Sequence, residues 1–328
     1  MAIFWPLIVL SSFGLLFGVG LAYASKKLAV EINPVIGVIR EILPGANCGA
    51  CGYAGCDAYA AAVANGSAAH NLCPVGGLEV AKNISATMGE TEYIAQKMVA
   101  MVCCQGNIAH AAQKYVYEGI QDCAAAVLLA NGPKACAYGC VGMGTCVHAC
   151  PFGAIFLDEY GVAQVDPDLC KSCGKCVAVC PKRIIKMIPY EHEVTVKCRA
   201  LDRGRSVSEN CDIGCIGCGL CARRCKFNAI TIENNLPVIE YNKCKQCMAC
   251  AEVCPTHTIF ADLARRKIPK ISGECIGCMR CARECPFGAI SGTVTEKHIV
   301  DFDKCKGCSV CAEVCPKNAI LMVRPDVN

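Results

Sequence analysis

The chain has 328 residues, of which 33 are Cys, 10 Tyr, 9 Phe and 1 Trp. A chain so poor in aromatics and so rich in cysteine builds small domains held by cross-links or metal rather than by one large apolar core. A formal charge of +4 without any Lys/Arg run excludes a nucleic-acid footprint, and disulfides, the mark of short secreted chains, do not suit cysteines that recur at short regular gaps.

Residues 2–24 carry no charge. As a helix this run is long enough to cross roughly 30 Å of hydrocarbon. Trp5 and Tyr23 sit near its ends, where interfacial aromatics are favoured, and Lys26 and Lys27 follow at once. The positive-inside rule then puts the rest of the chain on the cytoplasmic side of the plasma membrane after a single pass. The alternative is a cleaved signal peptide, since Ala22-Tyr23-Ala24 resembles a cleavage site. Against it, no positive charge precedes the run, the run is long for a signal core, and no twin-Arg motif is present. Residues 1–25 are therefore expected to be a transmembrane anchor in contact with lipid.

Residues 26–90 form the next expected domain. Asn33-Pro34 reads as an N-cap and first helical residue. Val35, Val38, Ile39 and Ile42 then share one helical face, which rests either on the membrane or on the protein itself. Cys48, Cys51, Cys56 and Cys73 follow as one four-thiolate site. Glycines at 49, 52 and 55 let the backbone wrap closely around it. Cys56 opens an Ala-rich helix that Asn65-Gly66 closes, and Glu79 to Met88 reads as another short helix.

Residues 91–135 are expected to be a partly ordered linker, and from Cys136 the chain repeats itself. A loosened copy, Cys136-x3-Cys140-x5-Cys146-x3-Cys150-Pro, is followed by five regular C-x2-C-x2-C-x3-C copies. An apolar pair recurs at the fourth and fifth positions after the fourth Cys of each copy, as in Ala154-Ile155 and Ala319-Ile320. Six half-units pair into three two-cluster ferredoxin-like units, at 136–190, 211–262 and 263–328, with a second linker at 191–210. Each unit should have two short hairpins and two helices of one or two turns. The fold class is thus α+β: an anchor, a four-Cys domain and three tandem ferredoxin-like units.

Thiolates are soft ligands that suit zinc or iron–sulfur clusters. Zinc sites commonly use two C-x2-C pairs a dozen or more residues apart. Three cysteines at two-residue gaps instead wrap one face of a cubane and leave the fourth iron to a distant Cys of the other half-unit. On that rule Cys136, Cys140, Cys146 and Cys180 hold one [4Fe–4S] cluster, and Cys170, Cys173, Cys176 and Cys150 its neighbour. In the second unit Cys215, Cys218, Cys221 and Cys254 pair with Cys244, Cys247, Cys250 and Cys225. In the third, Cys275, Cys278, Cys281 and Cys315 pair with Cys305, Cys308, Cys311 and Cys285. With the first domain this makes seven clusters. Seven sites at about −2 each turn the formal +4 into about −10.

Five cysteines remain: Cys103, Cys104, Cys123, Cys198 and Cys211. Cys104, Cys123, Cys198 and Cys211 suffice for an eighth cluster, with Cys103 as bystander. The alternative is a set of buried free thiols. His148 and His257 lie beside ligands, but histidine ligation is the exception at such clusters. No P-loop is present, and Gly142-Met143-Gly144 lies in no βαβ unit, so nucleotide chemistry belongs to another chain.

The stretches NCGACGYAGC with its later Cys-Pro, GPKACAYGCVGMGTCVHACPFGAI and CKSCGKCVAVCPK occur in an order that resembles the B subunit of the Rnf complex, the ion-pumping ferredoxin:NAD+ oxidoreductase, in a long form with extra ferredoxin units. The resemblance implies an electron-transfer subunit of a translocase, soluble ferredoxin as donor, other subunits of the membrane complex as partners, and coupling to Na+ or H+ movement. A relay polyferredoxin of a membrane hydrogenase or other dehydrogenase is the alternative. Because Cys48 follows the apolar run by only about 23 residues, its cluster is expected near the membrane as the exit. Entry is then through the C-terminal units, with Arg265, Arg266 and Lys267 available to attract an acidic carrier.

Overall fold

A computed structural model describes residues 4–27, 33–89 and 97–324. The boundary expected at residues 90–91 falls outside them, as do the last four residues. The chain divides into two compact bodies, residues 1–73 with 79–93, and residues 74–78 with 94–328.

In the amino-terminal body, α1 (Phe4–Lys27) ends on Lys26 and Lys27, and its large apolar side chains from Leu10 to Tyr23 are exposed. Among the described residues, which leave out the side chains at positions 6, 7 and 9, no helix is long and apolar enough to cross a membrane. Helix α2 (Pro34–Ile42) starts as expected, with the Asn33 side chain accepting the Val35 N–H at 3.0 Å. Ile39 and Leu43 are buried as α2 packs on α3 (Cys56–Ala64), so part of its apolar face is spent on the protein itself. Asn65 caps α3, Gly66 turns left-handed after it, and α4 (Gly77–Met88) follows.

The larger body is a set of two-stranded antiparallel sheets and short helices. Its first part comprises β1 (Met98–Val102), α5 (Cys123–Leu128), α6 (Thr145–His148), β2 (Ile155–Leu157), β3 (Ala163–Val165), α7 (Lys175–Val179) and β4 (Ile185–Pro189). The second comprises β5 (Thr195–Val196), α8 (Arg205–Asn210), α9 (Leu220–Arg224), β6 (Ile230–Glu233), β7 (Leu236–Ile239), α10 (Ala249–Glu252) and β8 (Ile259–Phe260). The third comprises β9 (Ile268–Ile271), α11 (Arg280–Glu284), β10 (Ile290–Ser291), β11 (Ile299–Val300), α12 (Val310–Glu313) and β12 (Ile320–Val323).

Each part carries two antiparallel two-stranded sheets: β1–β4 and β2–β3, β5–β8 and β6–β7, β9–β12 and β10–β11. In each, the outer sheet joins a strand before the cysteine repeat to the strand that ends it. Met98 thus faces Pro189, and Thr195 faces Phe260. The segments expected as linkers therefore supply an outer strand to the first and second units. Helices pair within units, α6 on α7, α9 on α10 and α11 on α12.

The repeated apolar pair explains the cores. Ala154, Ile184, Ala229, Thr258, Ala289 and Ala319 are buried, as are the isoleucines that follow each of them. They meet the cysteines in three small clusters, the third built on little more than Ile271, Ile290 and Ile320. Cores of this size carry limited hydrophobic free energy. Units two and three meet at Phe227, Cys247, Ala249, Phe287, Cys308 and Val310. Around that contact Lys245 pairs with Glu313 at 2.8 Å and Lys306 with Glu252 at 3.1 Å.

Candidate metal centres

The backbone is shaped around the cysteines. A residue with positive φ precedes each short repeat helix: Gly144, Gly174, Gly219, Met248, Met279 and Ser309. Three of these are not glycine, so the loop imposes the conformation at a cost of order 1 kcal/mol each. Between the first two cysteines of a copy the demand is steric as well. A Cβ at Gly277 would overlap the backbone N of Thr295, and one at Gly307 the carbonyl of Lys267. The fourth cysteine closes a tight turn in four copies, at Cys180, Cys254, Cys285 and Cys315, as in Asn318 N–H to Cys315 O at 3.2 Å and Gly288 N–H to Cys285 O at 3.1 Å. Its sulfur then accepts the N–H four residues on: Ala229 to Cys225 at 3.4 Å, Ala289 to Cys285 at 3.3 Å and Ala319 to Cys315 at 3.3 Å. Donors aimed at sulfur stabilise thiolate over thiol.

In the second unit Cys215, Cys218, Cys221 and Cys254 ring one cavity, while Cys250 lies near Cys247 and Cys244, and Cys247 near Cys225. In the third, Cys305, Cys308, Cys311 and Cys285 ring another. Cys281 lies near Cys275 and Cys278, and Cys315 packs into the same core. In the first unit Cys176 gathers Cys170, Cys173 and Cys150. In the amino-terminal body, Tyr59 is within electrostatic reach of Cys73 and Cys51. Its hydroxyl donates to Ala69 O at 2.8 Å and accepts the Leu72 N–H at 3.1 Å, pinning the loop that ends in Cys73. Asn47 Oδ1 accepts the Cys56 N–H at 2.8 Å.

The remaining first-unit site departs from the sequence expectation. Cys123, not Cys136, stands with Cys140, Cys146 and Cys180. The cause is local. Asp122 caps α5 by accepting the Ala125 N–H at 2.9 Å, Thr145 Oγ1 donates to Asp122 at 2.9 Å, and that same hydroxyl accepts the Cys123 N–H at 2.7 Å. The Ala125 and Thr145 bonds hold the Asp122 carboxyl below its ordinary range. This knot fixes Cys123 against the start of α6, beside Cys146. Cys136 lines a third cavity instead, with Cys104, Cys198 and Cys211. Cys103 is not among its lining residues; its thiol turns towards Met101 O.

Burial, reinforced by neighbouring thiols, pushes Cys146, Cys250 and Cys311 up to about 12 and Cys176 to about 11. Without metal these groups are thiols at neutral pH, so metal binding releases protons and strengthens as pH rises. Among the described residues no three His, Cys, Asp or Glu side chains group so as to hold one metal ion. In the second and third units the four thiols of one site ring open space, an arrangement that fits a polynuclear iron–sulfur core. His148 and His257 are exposed. A residue the sequence reading passed over is His298: it is buried, with Nδ1 3.5 Å from Cys275 Sγ and Nε2 3.0 Å from Met279 Sδ. Nothing in its spacing marks it. The cations expected to attract a carrier are partly engaged: Arg265 reaches Glu193 at 3.8 Å, and Arg266 lies 2.6 Å from Glu252, within ion-pair distance but not aligned as a hydrogen bond.

Paired two-stranded sheets, short helices and four-thiol groups define a class: a multi-cluster ferredoxin. Comparison with known families agrees. An Fe-S cluster family matches residues 43–75, and 4Fe-4S dicluster families match residues 135–184, 214–258, 243–289 and 270–322. The match at 243–289 straddles two units, an ambiguity that the strand pairing β5–β8 and β9–β12 resolves. The B subunit of the Na(+)-translocating ferredoxin:NAD(+) oxidoreductase complex of Acetobacterium woodii is 45% identical over 80% of this chain and 79% of its own length. The B subunit of the proton-translocating ferredoxin:NAD(+) oxidoreductase complex of Clostridium ljungdahlii is 43% identical over 78% and 91%. The B subunit of the ion-translocating oxidoreductase complex of Methanosarcina acetivorans is 42% identical over 76% and 95%. The chain belongs to the family of B subunits of ion-translocating oxidoreductase complexes.

Proposed function

We propose that this chain takes electrons from reduced soluble ferredoxin and passes them to the other subunits of an ion-translocating ferredoxin:NAD+ oxidoreductase. The observation that carries the reading is the succession of four-thiol groups on family-matched iron–sulfur segments, with N–H donors on the sulfurs of Cys225, Cys285 and Cys315. Seven sites suit [4Fe–4S] clusters. They are Cys48, Cys51, Cys56 and Cys73; Cys170, Cys173, Cys176 and Cys150; Cys123, Cys140, Cys146 and Cys180; the two groups of the second unit; and the two of the third. A cluster bound there accepts and releases single electrons. The chain's own part is to hold the thiolates, exclude water with the Ala-Ile pairs and set the local field with N–H donors.

The exposed apolar length of α1 is the basis for placing it in the membrane. Lys26 and Lys27 favour the remaining chain on the cytoplasmic side. Cys48 then follows the anchor by roughly 20 residues, which makes its site the exit and the C-terminal units the entry. Na+ and H+ are both named for relatives, and the coupling ion is a property of the complex. The test is anaerobic purification of the native membrane assembly, with partners identified and iron and sulfide counted. Reduction by ferredoxin and delivery to partners are expected, with delivery lost in Cys51→Ala while the outer clusters still reduce. Delivery at the normal rate in that variant would remove the Cys48 site from the path.

A further inference from the structure

Cys104, Cys136, Cys198 and Cys211 come from four separate segments. Cys104 follows β1, Cys136 ends the long insertion before the first repeat, Cys198 follows β5 and Cys211 follows α8. No spacing motif links them, yet they line one cavity of about 30 Å³, against about 20 Å³ for each of two cavities ringed by regular repeat cysteines. The space is therefore no smaller than that at sites whose sequence spells a cluster. A glycine lets the backbone in: a Cβ at Gly106 would stand 3.1 Å from Cys211 Sγ.

The lining carries three cations against one carboxylate, Asp202. Lys134, Lys197 and Arg199 face the cavity. Lys134 is buried, with Nζ donating to Gly106 O at 2.7 Å, and none of the three forms an ion pair with a carboxylate of the described residues. Buried positive charge needs a negative counterpart. Four neutral thiols supply none, whereas a [4Fe–4S] core with four thiolates carries about −2.

The position is the second argument. The Cys140 N–H donates to Cys104 Sγ at 3.3 Å, and the Cys215 N–H donates to Cys198 Sγ at 3.4 Å. Cys140 belongs to a first-unit site and Cys215 to a second-unit site. The cavity thus touches the ligand loop of a neighbour on each side. Main-chain pairing holds the same junction, with Ala112 N–H to Asn210 O at 3.0 Å and Asp212 N–H to His110 O at 3.2 Å.

We infer that Cys104, Cys136, Cys198 and Cys211 hold an eighth [4Fe–4S] cluster that joins the first and second ferredoxin units into one conductor. The inference rests on the cluster reading of the other seven sites. The order of sites within the larger body becomes continuous: third unit, second unit, junction, first unit.

Native mass spectrometry of the full chain, released anaerobically from its complex, tests this. Eight clusters are expected, about 32 iron atoms. Seven clusters, with the repeat sites filled, would overturn the junction site alone, whereas no clusters or mononuclear metal would overturn the reading of every site. In the variant C198A/C211A iron should fall by about four while the remaining spectrum persists, and C103A should change nothing. Equal iron in wild type and C198A/C211A contradicts the assignment. Should the double variant lose all its iron, the wild-type count decides.

Discussion

The third ferredoxin unit and the first are built on the same plan and differ in one respect. In the third, every thiol that the structure groups comes from two regular C-x2-C-x2-C-x3-C runs, and the strands that close the unit flank those runs closely. In the first, the strand β1 is separated from the first repeat by more than thirty residues, and that insertion delivers Cys123 to one site and Cys104 to another. The regular copy builds its four-thiol groups from local sequence. The loosened copy gives up local wrapping and ties its sites to a distant capping knot and to the neighbouring unit. A relaxed spacing is therefore a place to look for ligands from elsewhere in the chain.

Removal of iron should have the largest effect and should nearly erase the difference. Cores as small as that of the third unit cannot stabilise about 55 residues alone, so metal binding supplies much of the folding free energy. Chelated, iron-free protein is expected to show no cooperative thermal transition by circular dichroism; a sharp one would contradict this. Next in size are paired cysteine replacements. C123A/C140A should cost about four iron atoms because both thiols serve one site, whereas C136A/C140A should cost about eight because they serve two. The reverse pattern would restore the spacing-based assignment. The control in the third unit, C305A/C308A, should cost about four.

Smaller effects sharpen the contrast. Thr145→Val removes the acceptor of the Cys123 N–H and the donor to Asp122. It should destabilise that corner by about 1–3 kcal/mol, read as faster loss of one cluster's iron to chelator. In the third unit His298→Ala removes the contact to Cys275 Sγ and should lower the potential of one cluster by on the order of tens of millivolts in an anaerobic redox titration. An unchanged titration would leave His298 a packing residue. Smallest is Glu252→Gln. Burial alone would raise this carboxyl, but Arg266 and Lys306 hold it below the usual range. Its contribution is therefore present at neutral pH and lost only as pH falls through that lowered value. The variant should raise hydrogen exchange in α10 by up to about fivefold, roughly 1 kcal/mol; no change would make the pairing incidental.

Much of this was legible from residues alone. The Asn33 cap, the Asn65-Gly66 stop, one hairpin per unit and the buried Ala-Ile pairs follow from turn chemistry and repeat position, whereas the second expected hairpin is in each unit a sheet between its first and last strands. The exchange of Cys123 and Cys136 was not, because it depends on Thr145 reaching back 22 residues to an N–H that only the folded chain brings near. Asp122 as a cap directly before Cys123 was the available clue. Cys103 and Cys104 are adjacent and equivalent by spacing; what separates them is that β1 ends between cavity and core. The ion pairs of Arg265 and Arg266 likewise required the fold, since their partners lie in another unit's helix and in the segment before β5.

On the reading proposed above, the larger body conducts electrons along one continuous series of sites that passes through the junction between first and second units. Rapid-freeze Mössbauer spectroscopy of the whole complex, mixed with reduced ferredoxin, tests it in wild type and C198A/C211A. The expected result for the variant is reduction of about four clusters, those of the third and second units, at the wild-type rate, while first-unit and amino-terminal iron stays oxidised. Reduction of all remaining clusters at the wild-type rate would contradict it.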